Sequence, residues 1–123
     1  MKDSPVLLVV EDDAAVRRFT ARILEINGYK VIATAAAADC LWILQSGKRA
    51  IDLAIIDIIM PRMGGLDLGA ELDRLYPDLK ILYISGYSAS IAVQALAQNS
   101  PRLVLSKPFT EEELITRVRL LCS

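Results

Sequence analysis

The chain has 123 residues, 54% hydrophobic and 24% charged, and its 14 Lys and Arg against 15 Asp and Glu leave a formal charge of −1. That length suits one domain, read as residues 1–123 with a core near 6–121, and a chain of this size buries about two-thirds of its unfolded surface without staples. The balanced charge argues against a general nucleic-acid binder and against a disordered acidic tail.

There is no histidine. This excludes Ser-His-Asp and Cys-His catalysis, imidazole zinc sites and a phosphohistidine within the chain. Cys40 and Cys122 form no Cys-x-x-Cys pair, so both read as buried or inert thiols. No long apolar run and no signal-peptide pattern is present, which predicts a soluble cytoplasmic protein without a membrane anchor.

Val6 to Val10 is an apolar, β-branched run, read as a strand buried on both faces. A helix follows over 13–27, capped by Asp13, with Val16, Phe19, Ile23 and Ile26 near helical spacing and Gly28 as the stop. Tyr29 to Thr34 is a second strand, and Ala35 to Gln45 a helix anchored by Leu41 and Leu44, with Trp42 packed on it. Leu53 to Ile56 is a third strand, with Asp52 at its opening end as a turn residue. Met60 to Gly65 is loop chemistry, the Gly64-Gly65 pair reading as a turn before a helix from Leu66 to Tyr76 striped by Leu68, Leu72 and Leu75. Leu79 to Ile84 is a fourth strand, 89–99 a polar helix, and Leu103 to Leu105 a short fifth strand. Thr110 and Glu113 form a capping box for a last helix with Leu114, Val118 and Leu121 on its inner stripe. Five strand–helix units in strict alternation predict an α/β, doubly wound parallel sheet with helices on both faces.

Ligands of such sheets bind outside the carboxyl ends of the strands. Glu11, Asp12 and Asp13 follow the first strand, Asp57 the third, Ser85 the fourth and Lys107 the fifth. Like charges about 4 Å apart repel by roughly 4 kcal/mol at an effective dielectric near 20, so this cluster needs a cation or protons. Oxygen ligands select a hard dication such as Mg²⁺. Asp57 then reads as a carboxylate nucleophile toward phosphorus, with Ser85 and Lys107 offsetting the added charge. Each residue alone has a bland reading, as a helix cap, a loop aspartate, a turn or a surface lysine. Their joint placement at four strand ends carries the inference.

Leu8 to Asp13, Asp57-Ile58-Ile59-Met60-Pro61 with Gly64-Gly65, Ile84-Ser85-Gly86-Tyr87 and Lys107-Pro108-Phe109 together resemble the receiver domain of two-component response regulators. The resemblance runs from about Val6 to Leu121. It implies a flavodoxin-like sheet of order 2-1-3-4-5, an order for which a member of this same family is a type example. It implies Asp57 as phosphoacceptor, and Mg²⁺ (or Mn²⁺) held by Glu11, Asp12, Asp57 and the backbone carbonyl of Ile59. Ser85, the Gly86 amide and Lys107 would bind the phosphoryl group, and the Lys107–Pro108 bond would be cis. Asp13, by the same resemblance, starts the first helix and stays outside the site.

One position departs from the family: Val104 stands where a switch aromatic is usual, with Tyr83 and Tyr87 nearby as candidate substitutes. The conformational change is then expected in residues 85–90 and the start of the following helix. The implied partner is a sensor histidine kinase or a histidine phosphotransfer protein, with no nucleic acid bound directly and no membrane. The face of the 89–99 helix, the Val104 strand and the last helix is the candidate for a weak homodimer. The chain reads either as a stand-alone regulator or as the receiver of a hybrid kinase, and not as an enzyme beyond self-phosphorylation and dephosphorylation. Two rivals remain open: a partner-binding receiver independent of phosphorylation, and a small Mg²⁺-dependent phosphatase of haloacid dehalogenase type. The second requires another Asp two residues after Asp57, where Ile59 stands.

Overall fold

The computed structural model describes residues 4–86 and 103–122. The helix expected over 89–99 and Tyr87 lie outside the described residues. Within them the elements are β1 (Val6–Val10), α1 (Ala14–Ile26), β2 (Lys30–Thr34), α2 (Ala37–Ser46), β3 (Leu53–Asp57), α3 (Gly65–Leu75), β4 (Lys80–Ser85), β5 (Val104–Ser106) and α4 (Glu111–Cys122). All strand pairs are parallel, in the order β2-β1-β3-β4-β5.

The pleat of the strands sorts their apolar residues into two cores. Leu8, Val10, Ala54, Ile56, Tyr83 and Val104 face Cys40 of α2 and Leu68 and Leu72 of α3. Leu7, Val9, Ile55, Leu82, Ile84 and Leu105 face Ile23 and Leu24 of α1 and Leu114 and Val118 of α4. Because both faces are covered, the strands read as continuous apolar runs rather than alternating ones. Among the described residues, no helix is long and apolar enough to cross a membrane.

Local signals set the helix ends. The Asp13 carboxylate accepts from the Ala15 and Val16 N–H groups at 2.9 and 3.1 Å. Thr110 and Glu113 exchange reciprocal side-chain-to-backbone bonds at 3.0 and 3.1 Å, the expected capping box. Gly28 takes φ 93°, the left-handed turn that lets the chain leave α1 for β2.

Three packing expectations are corrected. The buried stripe of α1 is Thr20, Ile23 and Leu24, whereas Phe19 and Ile26 are 54% and 65% exposed. Residues at i, i+3 and i+4 share a narrow face, and the register of the helix on the sheet turned that face about one residue from the apolar pattern. Trp42 is 67% exposed rather than packed, because α2 meets the sheet through Ala37 and Cys40. Leu75, at the end of its stripe, is 38% exposed. Cys40 is fully buried, and burial pushes its thiol up to about 12. Asp52 does more than turn the chain. Its carboxylate accepts the Val6 N–H at 2.8 Å and its own N–H donates to the Val6 carbonyl at 2.8 Å, tying the starts of β1 and β3 together.

Candidate functional site

A parallel sheet places every strand's carboxyl end on one edge, so residues far apart in sequence meet there. β1 delivers Glu11, β3 ends on Asp57, and β5 leads into Lys107. The Lys107 ammonium lies 3.0 Å from Glu11 Oε1 and 2.9 Å from Asp57 Oδ2. One ammonium therefore joins two carboxylates from different strands. Glu11 and Asp57 are 4% and 5% exposed, and Asp12 is exposed beside them. One carboxylate oxygen from each of Glu11, Asp12 and Asp57 lies within 4.8 Å of the others.

The electrostatics of this cluster are unbalanced. Three carboxylates gather here, and Lys107 bonds two of them. Burial pushes Glu11 up to about 7, and the neighbouring Asp57 carboxylate adds to the rise; Lys107 and the Asp13 N–H oppose it. Burial works to lower the Lys107 ammonium, but its bonds to Asp57 and Glu11 outweigh that and leave it raised. The contacts therefore favour the charged form of Lys107, while burial beside Asp57 favours the protonated form of Glu11.

The donor set fits a hard dication. Three carboxylate oxygens from Glu11, Asp12 and Asp57 gather within 4.8 Å of one another, an all-oxygen set of the kind that a hard dication takes. Asp57 keeps its second oxygen oriented, since Oδ1 accepts the Ile59 N–H at 3.0 Å. Gly65 N–H donates to the Ile58 carbonyl at 2.8 Å, which folds the β3–α3 loop back against this turn.

An open cleft of about 700 Å³ leads to the cluster, with Asp12, Asp57 and Lys107 on its polar side and Val16, Phe19 and Phe109 on its apolar side. The Phe19 and Phe109 rings sit 6.4 Å apart between centroids, tilted by 39°. Gly86 and Ile59 also line the cleft. Ser85 is buried at the end of β4 and lies outside the cleft lining; its carbonyl accepts the Lys107 N–H at 2.7 Å. The Lys107–Pro108 peptide is cis. Asp13 caps α1, as expected, and its N–H donates to Glu11 Oε2 at 3.2 Å.

Val104 is buried beside Tyr83 on the same sheet face, its carbonyl accepting Arg117 Nη1 at 2.7 Å. Gly65 reads from sequence as a turn and motif residue without its contact to Asp57, and Arg17 is not singled out there at all. A close backbone approach leaves no periodic trace, and Arg17 is one of three arginines on α1.

A family model of the response regulator receiver domain matches residues 7–119. The chain is 33% identical over 119 residues to a sensor kinase CckA of Brucella abortus (strain 2308), covering 97% of this chain but only 13% of that protein. It is 36% identical over 114 residues to a response regulator receiver protein CpdR of the same organism, covering 91% of this chain and 92% of that one. Among solved structures, a response regulator receiver protein from Sinorhizobium medicae WSM419 superposes with a TM-score of 0.83 at 30% identity, covering 98% of this chain and 95% of that chain.

Proposed function

Because this chain belongs to the response regulator receiver domains of two-component signalling, we propose that Asp57 is its phosphoacceptor. The observation that carries the reading is the bridge from Lys107 to both Glu11 and Asp57, with Asp12 alongside. The donor is a phosphohistidine on a sensor histidine kinase or a phosphotransfer protein, since this chain has no histidine.

The Asp57 carboxylate attacks phosphorus, an O–P bond forms, and the P–N bond breaks with its electron pair passing to the donor imidazole. Glu11, Asp12, Asp57 and the Ile59 carbonyl would hold Mg²⁺, which would supply charge neutralisation for the added phosphoryl group. Lys107 moves its hydrogen bonds toward the incoming oxygens, and Ser85 and the Gly86 amide bind the rest. The Ile59 N–H holds the Asp57 carboxylate in a fixed direction throughout. The product is an acyl phosphate on the protein, so the chain acts as a phosphoacceptor signalling domain with self-phosphorylation and hydrolysis as its own chemistry.

On this reading residues 1–123 form a single receiver domain acting in the cytoplasm. The test is acetyl phosphate with Mg²⁺ followed by intact mass. One added phosphoryl group, lost in Asp57→Asn, supports the assignment. Labelling that survives in Asp57→Asn places the chemistry elsewhere. No labelling of the wild-type chain favours a partner-binding receiver independent of phosphorylation.

A further inference from the structure

We propose that Arg17 is a positioning residue for the acidic site, holding the backbone from which Glu11 and Asp12 project. The proposal rests on the phosphoacceptor reading of that site. Arg17 Nη1 lies 2.8 Å from the Glu11 carbonyl oxygen and 3.4 Å from that of Asp12. The first is a short charge-assisted hydrogen bond, and the second is a longer, weaker contact.

The local geometry explains why this arginine reaches back. Helical side chains lean toward the helix N-terminus, and Arg17 is the fourth residue of α1. Its own N–H donates to the Asp13 carbonyl at 2.8 Å, so the base of the side chain is anchored. The segment it covers is a short bridge between two secured points. Glu11 N–H donates to the Thr34 carbonyl at 3.0 Å, the last bond to β2, and the Asp13 carboxylate caps α1. Between them lies Asp12, exposed, with its peptide group beside the Arg17 guanidinium.

Arg17 is half-buried, while Arg18 and Arg22 on the same helix are exposed. Its two hydrogen bonds go to the Glu11 and Asp12 carbonyls and not to their carboxylates, so it does not itself compete with a cation for those oxygens. Lys107 differs in this respect, because it bonds the carboxylates themselves.

Electrostatics and positioning predict opposite signs for its removal. A cation near a cation site repels the ion, so deleting the charge alone tightens Mg²⁺ binding. Losing an orienting partner behind the ligands weakens it, by about tenfold for partners of this kind. The experiment is a Mg²⁺ titration of the ¹⁵N-labelled chain, read on amide shifts, with thermal unfolding of each variant alongside. Arg17→Met keeps the aliphatic stem and removes the donors. It is expected to raise the Mg²⁺ midpoint about tenfold and to speed amide exchange in residues 11–13, while Arg18→Met does not raise the midpoint. An unchanged or lowered midpoint in Arg17→Met overturns the proposal. If Arg17→Met does not fold, Arg17→Lys decides: a raised midpoint supports the role, and an unchanged one overturns it. A wild-type chain that shows no Mg²⁺ titration overturns both this proposal and the phosphoacceptor reading beneath it, an outcome distinct from failure of the variant alone.

Discussion

Gly65 approaches Asp57 so closely that a Cβ on it would lie 2.2 Å from the Asp57 carbonyl oxygen and 2.6 Å from Ile58 Cα. The first turn of α3 therefore packs directly on the backbone that carries the candidate phosphoacceptor. Both obstructing atoms belong to the main chain, so no side-chain rotation relieves the clash.

Gly65→Ala is expected to destabilise the fold by about 1–3 kcal/mol, the usual range for forced overpacking. It should also slow labelling by acetyl phosphate, because the chain has to move at Asp57 itself. Gly64→Ala is the control: its nearest non-neighbouring atom is the Ile58 carbonyl oxygen at 3.5 Å, an ordinary contact. At this N-cap position the change costs about 1 kcal/mol or less. Urea unfolding of the two variants checks the contrast, and equal losses would contradict the close approach.

Glu11 ties the stability of the metal-free domain to pH. Its folded-state value is raised from 4.5 to about 7, with burial as the first cause. A raised carboxyl binds its proton more tightly in the folded state than in the unfolded one. Its contribution is therefore fully present below 4.5 and is lost as pH rises through about 7. Chelator-treated protein should lose stability across that window, and Glu11→Gln should flatten the slope. Mg²⁺ should bind more weakly at pH 6 than at pH 8, since a ligand must be deprotonated. A Mg²⁺ midpoint independent of pH across this range would falsify the assignment of Glu11 to the ion.

Tyr83 and Gly69 form a second close approach, on the face of the sheet that carries Val104. A Cβ on Gly69 would lie 1.7 Å from the Tyr83 hydroxyl oxygen and 2.7 Å from its Cζ. Alanine normally favours a helix over glycine by about 1 kcal/mol, but here the ring occupies the space. Gly69→Ala is expected to cost about 1–3 kcal/mol in the wild-type chain, and less in a Tyr83→Val background. The double-mutant cycle should show coupling above about 0.5 kcal/mol. Additive effects would mean that the ring and the helix do not compete for one space.

The sequence by itself determined the order of elements and the edge that bears the site. Five apolar runs without alternation call for a sheet covered on both faces, and parallel strands bring all their carboxyl ends together. Glu11, Asp57 and Lys107 were legible for that reason, as were the Asp13 cap and the Thr110–Glu113 box, which need only local spacing.

Tertiary structure alone decided what spacing does not encode. It turned α1 onto Thr20, Ile23 and Leu24 and left Phe19 beside the cleft, because a helix's rotation on a sheet is set by packing against residues far away in sequence. It left Trp42 exposed and showed Gly65 to be a contact surface for Asp57 as well as a turn. It selected Arg17 from three arginines on one helix, through a reach to the Glu11 carbonyl that depends on how the loop after β1 is folded. It also let Lys107 bridge carboxylates 96 and 50 residues away, a geometry that exists only once β1, β3 and β5 share one sheet.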